Sequence, residues 1–122
     1  MTEWLDVWPA FSAVAWTDGE NVRIDVAGEI DLATCSQLET ELLAAIEAPV
    51  RPKQIRIDLA AVTFIDARGV AVLVDCCNAA QRRGVDYAVQ NAQGIVLRVL
   101  DILGLASLRS IPPGADLPKV QP

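Results

Sequence analysis

The sequence predicts an α/β fold: one mixed, mainly parallel β-sheet that opens with an N-terminal antiparallel hairpin and has helices packed on it. Three observations lead there. Two early stretches alternate apolar and polar residues around a turn-forming "DGEN", the pattern of a hairpin. Three later stretches carry apolar residues at helical spacing and end at proline or glycine. Dense apolar segments fall between those helices, and strands that alternate with helices pair in parallel.

The elements follow in order. "FSAVAWT" (11–17) and "NVRIDVAG" (21–28) form the hairpin. In "DLATCSQLETELLAAIEA", Leu38, Leu42, Ala45 and Ile46 fall on one face, with Glu39, Glu41 and Glu47 elsewhere. That is an amphipathic helix, with Thr34 as its N-cap and Gln37 completing a capping box. "APVRPK" stops it with two prolines. "QIRIDLAAVTFI" (54–65) is dense enough in apolar residues for the sheet centre. A helix over 68–83 ends at Gly84, with Arg82 and Arg83 in its last turn, where the helix dipole favours cations. "VDYAVQN" (85–91) is a short strand. "AQGIVLRVLDIL" (92–103) is a third helix, with Val96, Val99, Leu100 and Leu103 inward and Gly104 as its stop. "ASLRSI" (106–111) closes as a short strand, giving the order ββαβαβαβ. The tail 112–122, with four prolines in eleven residues, reads as irregular. The expected organisation is an N-terminal extension (1–10), one domain (11–111) and this Pro-rich tail.

Composition narrows function. The 122 residues are 52% hydrophobic, enough for one domain with its own core. The net charge of −6 opposes nucleic-acid binding, which needs a basic footprint. Residues 1–50 hold ten acids against one base, Arg23 (net −9), whereas 51–122 hold six against nine (net +3). This asymmetry fits solvated faces, and could also steer a basic partner. No apolar run reaches the roughly 20 residues that span a membrane. The opening "MTEWLDVWPAF" has no Lys or Arg and does not read as a signal peptide, so a cytoplasmic location is expected.

Catalysis finds little support. There is no histidine, and no Ser-His or Cys-His pairing, phosphate-binding loop or zincin motif. The three cysteines, Cys35, Cys76 and Cys77, lack metal-ligand spacing. Cys76 and Cys77 read as small apolar helix residues, with a redox role as the alternative. No metal or cofactor is expected. Trp4, Trp8 and Trp16 read as sheet packing. Together with Phe11 they could instead cover an exposed face or mediate self-association, so a homodimer stays open.

Two turns reach the edge formed by the C-terminal ends of the parallel strands, where α/β sheets usually bind their ligands. They are "GEIDLAT" (28–34) and "FIDARG" (64–69). Asp66 stands where an N-cap belongs. Gly69, in the first helical turn, costs helix stability unless a close approach requires it. Asp31 and Asp66 could form a carboxylate pair for acid–base work.

"GEIDLAT", "IRIDLAAVTFIDARGVAVLV" and "VLRVLDILGL", in that order and spacing, resemble the STAS domain, and within it the anti-sigma-factor antagonists. The resemblance covers about residues 11–111. It implies a non-enzymatic module that binds a serine-kinase-type anti-sigma factor and frees the sigma factor. It also implies a switch: the family turn reads Asp-Ser-Ser/Thr-Gly, and phosphate on its first Ser blocks binding. Here that phosphoacceptor position is Ala67 and the next is Arg68, so this chain lacks the usual off-switch. Arg68 is either a solvated charge or a contact for an acidic partner or phosphate. The other hydroxyls near the edge are Thr34, Ser36 and Thr63, of which Thr34 reads as a cap and Thr63 as a strand residue. The partner-binding edge expected from the resemblance comprises Asp31, Leu32, Thr34, Asp66, Ala67, Arg68, Gly69 and Val70. Two other readings stay open: a STAS accessory subunit of a membrane-transport ATPase, and a small-ligand or nucleotide sensor.

Overall fold

The computed structural model describes residues 10–108. Trp4, Trp8, the Pro-rich tail and the last three residues of the proposed closing strand lie outside them. Seven elements follow one another: β1 (Ser12–Asp18), β2 (Asn21–Ile30), α1 (Cys35–Ile46), β3 (Gln54–Ile65), α2 (Ala67–Arg83), β4 (Asp86–Gln90) and α3 (Gly94–Ile102). The sheet order is β1-β2-β3-β4. β1 pairs antiparallel with β2, and the β2–β3 and β3–β4 pairs are parallel. A mixed sheet opened by a hairpin is therefore what forms, with β2 and β3 at its centre.

One sheet face is the core. Ile24, Val26, Ile30, Ile55, Ile57, Leu59, Tyr87 and Val89 meet Leu38, Leu42 and Ile46 of α1 and Val70, Leu73, Cys77 and Ala80 of α2. The apolar content of the central strands drives this burial, which removes apolar surface from water on both layers. Tyr87 is fully buried, and its hydroxyl donates to the Leu73 carbonyl at 2.9 Å. That bond satisfies the one polar atom such a large aromatic brings into a core. α3 packs against β3, with Val96 and Leu100 buried.

The helix ends follow the expected stops. Past α2, Gly84 adopts φ +75° and Val85 N–H donates to the Ala80 carbonyl at 2.9 Å, a left-handed glycine close. Arg83 reaches across to donate to the Ile46 carbonyl at the end of α1.

Three expectations are corrected. Leu103 is 54% exposed, because α3 ends at Ile102 and the chain turns before Leu103 can face inward. Ala106 and Ser107 lie in a turn, not a strand, although Val89 N–H still donates to the Leu108 carbonyl at 3.0 Å. Trp16 does not pack beneath the sheet. It stands on the sheet face opposite α1 and α2, 55% exposed, with the Arg23 guanidinium 5.9 Å from its ring centroid.

Candidate functional site

The two turns singled out in the sequence meet at one end of the sheet. Asp66 N–H donates to the Ile30 carbonyl at 3.1 Å, which ties the end of β3 to the end of β2. Each turn is then held by its own aspartate.

In the second turn, Asp66 is the N-cap of α2, extended at φ −107°, and its carboxylate accepts from Gly69 N–H at 3.0 Å. One of the unpaired amides at the helix start is thereby satisfied. Gly69 is buried at the junction. A Cβ there would lie 2.5 Å from Ile30 Cγ2 and 2.8 Å from Ile65 Cγ1. The close-approach reading of this glycine therefore holds. Val70 is 7% exposed and belongs to the core. Ala67 and Arg68 are exposed, and Arg68 makes no ion pair among the described residues.

The first turn departs from the expected capping box. Thr34 occupies the N-cap of α1, yet its side chain makes no cap hydrogen bond. Its hydroxyl instead accepts from Asp31 N–H at 2.9 Å and donates to the Glu29 carbonyl at 2.8 Å. The capping carboxylate is Asp31, which accepts from Ala33 and Thr34 N–H at 2.9 and 3.1 Å. The reason is local: residues 31–34 form a turn before the helix, so the orphan amides lie one turn earlier than the periodicity suggested. Leu32, at the tip, is 66% exposed.

Of the eight anticipated residues, five are thus engaged in holding the turns: Asp31, Thr34, Asp66, Gly69 and Val70. Leu32, Ala67 and Arg68 remain exposed. Sequence reading missed what continues from them, a groove of about 200 Å³ between the starts of α1 and α2. It is lined by Cys35, Ser36, Glu39, Arg68, Ala71, Val72 and Asp75. Its only sequence signal was that Arg68 and the acids of two helices fall near the same edge.

Asp31 and Asp66 spend their carboxylates on backbone amides, and the cysteines behind them are free and buried. Burial pushes the Cys76 thiol up to about 12, with Glu39 and Asp75 adding to the effect, and it raises Cys77 as well. A thiol held protonated is a poor nucleophile. Neighbouring helical positions also do not face each other, which weighs against a Cys76–Cys77 redox pair.

Capped turns at the strand ends, a four-stranded mixed sheet and a two-helix layer define a small single α/β domain. The family model described as "Mlab, STAS domain" matches residues 13–111, and the chain belongs to this STAS family. Among its relatives is the anti-sigma-B factor antagonist of Bacillus subtilis (strain 168), 26% identical over 91 residues, spanning 75% of this chain and 81% of that protein. The crystal structure of an anti-sigma factor antagonist from Mycobacterium paratuberculosis superposes with a TM-score of 0.69 at 25% identity, covering 79% of this chain and 80% of that one. The Bacillus cell fate determinant SpoIIAA in its phosphorylated form shares the fold, with a TM-score of 0.62 at 21% identity over 79% and 85% of the two chains.

Proposed function

We propose that this protein is an anti-sigma-factor antagonist that binds a serine-kinase-type anti-sigma factor in the cytoplasm, frees the sigma factor, and lacks the phosphoserine off-switch. Homology to anti-sigma factor antagonists supports the general role. The observation that carries the finer reading is Ala67, exposed at the first position of α2 directly after the capping Asp66. A phosphate there would add roughly −1.5 to −2 charges in front of a partner that holds ATP. A methyl group cannot acquire it. The docking surface stays in its neutral form, with Leu32, Ala67 and Arg68 presented by turns that Asp31 and Asp66 hold in place.

The test begins with affinity capture from the host and mass spectrometry, then calorimetric binding to the purified partner. Ala67→Asp should keep its melting temperature within a few degrees, because a carboxylate near a helix N-terminus is tolerated, while losing most of its affinity. Partner plus ATP should leave the wild type unmodified and phosphorylate Ala67→Ser. Wild-type affinity in Ala67→Asp would show that this edge is not the interface. Blocking phosphate on wild-type Thr34, Ser36 or Thr63 would show that the switch lies elsewhere. The missing hydroxyl also fits a second reading, the STAS subunit of a membrane-transport ATPase. Recovery of an ATPase subunit in place of a kinase would select it.

A further inference from the structure

β1 is an edge strand whose outer row of N–H and C=O groups has no neighbour among the described residues. Natural edges are blunted by Lys, Pro, bulges or a covering segment. β1, "SAVAWTD", contains no Lys, Arg or Pro and keeps an unbroken register with β2 over all seven residues. Its outward side chains Val14 and Trp16 are 46% and 55% exposed on the sheet face opposite α1 and α2. On its other face, Ala15 and Thr17 border a groove of about 380 Å³ whose lining continues through Ala44, Ala45, Ala48 and Val50, with Glu20, Glu41 and Arg51 also lining it. Val50 is 85% exposed at the rim of that groove.

Charge selects the occupant. Two copies of a chain with net charge −6 repel unless they meet where acids are absent, and Ser12–Thr17 is such a stretch. We infer that β1 pairs antiparallel with β1 of a second copy, forming a twofold dimer through one continuous sheet. A twofold axis at Ala15 lets all seven residues pair, placing Ser12 opposite the partner's Asp18 and Val14 opposite the partner's Trp16. Each row then gains a β-branched–aromatic cross-strand pair, and no carboxylate faces another. The rows continue into β2, where Val14 lies beside Asp25 and Trp16 beside Arg23. One row therefore runs Asp25, Val14, the partner's Trp16, the partner's Arg23, and its symmetry mate runs the opposite way. The two apolar pairs are flanked by opposite charges at diagonal corners. Antiparallel self-pairing is isologous and closes at two copies.

Sedimentation equilibrium on the full chain, from low-micromolar to sub-millimolar, tests this. The wild type should pass from monomer to dimer, more readily at high salt because screening weakens the repulsion of like-charged copies. Val14→Lys installs the usual edge-blocking charge and stands beside Asp25 of its own sheet, so its thermal melt should stay close to wild type. It should weaken dimerisation at least about tenfold, or 1.4 kcal/mol. Hydrogen exchange of the β1 amides that point away from β2 should slow with concentration in the wild type only. A wild type that stays monomeric at the highest concentration overturns the inference, as does a dimer indifferent to Val14→Lys. Outward-facing β1 amides protected equally at every concentration would mean that another segment of the chain covers the edge, which also overturns it.

Discussion

Replacing Gly69 by alanine sets two effects of opposite sign against each other. In an exposed helix interior, Gly→Ala stabilises by about 1 kcal/mol, because alanine loses less backbone entropy. At Gly69 the added Cβ would sit 2.5 Å from Ile30 Cγ2 and 2.8 Å from Ile65 Cγ1. Both neighbours are β-branched and stiff at χ1, and they are 0% and 3% exposed. The helix start cannot slide away cheaply either, since Asp66 Oδ1 holds the Gly69 amide at 3.0 Å and the Asp66 amide is bound to Ile30. Overpacking of a tight core costs about 1–3 kcal/mol; two contacts under 3.0 Å place this site in the upper half of that range, about 2–3 kcal/mol, so the clash should win over the helix gain by about 1–2 kcal/mol. For a domain of this size that lowers the melting temperature by roughly 3–10 °C. Calorimetric melts measure it. A double-mutant cycle with Ile30→Ala, which removes the colliding methyl, should show Gly69→Ala costing less in that background. An unchanged or raised melting temperature for Gly69→Ala would refute the close-approach argument.

Asp66→Ala should cost about 0.5–2 kcal/mol in a denaturant titration and weaken partner binding, whereas Asp66→Asn, which keeps an acceptor oxygen, should retain most of both. Native Cys76 should resist alkylation at pH 8 and react only on unfolding, since its thiol is pushed up to about 12; rapid native labelling would contradict its burial. The same shift fixes the sign of alkaline stability. A thiol whose folded pKa lies above its unfolded value of about 9 stabilises the fold fully below pH 9 and loses that contribution as pH rises toward 12. Tyr87, raised well above 10 by burial, adds in the same direction. Melts between pH 8 and 12 should therefore fall steadily, and flat stability across that window would refute both assignments.

The sequence made some of this legible for identifiable reasons. Gln54–Ile65 forms a strand over the expected residues because its apolar run is bounded by Pro52 on one side and the capping Asp66 on the other. The α1 face formed by Leu38, Leu42 and Ile46 is buried as its spacing requires. Illegible features depended on the third dimension. Thr34 has the sequence of a cap, but Asp31 lies closer to the orphan amides once the chain turns at 31–34. Trp16 has strand propensity whichever face it occupies. Only the register with Arg23 and the one-sided placement of α1 and α2 put it in solvent. The groove between Cys35 and Asp75 joins residues forty positions apart, and no local pattern reports it.

Within "DARG" the four side chains separate by task. Asp66 spends its carboxylate on the Gly69 amide, and Gly69 spends its missing Cβ on Ile30 and Ile65. Those two residues explain the shape of the turn without reference to any partner. A helix start that needed only capping would place no constraint on the two exposed residues between them, so whatever specificity the turn has must reside in Ala67 and Arg68. Ala67 supplies no hydrogen-bond group and no acceptor for phosphate. Arg68 supplies the one positive charge lining the adjoining groove, where Glu39 and Asp75 supply two negative ones and no pair is within ion-pair distance. A side chain that cannot carry phosphate at one position and a fixed cation at the next both make this edge more positive than a phosphorylated turn would be. A partner fitted to this turn should therefore meet Arg68 with an acid, and its affinity should not depend on phosphorylation of this chain.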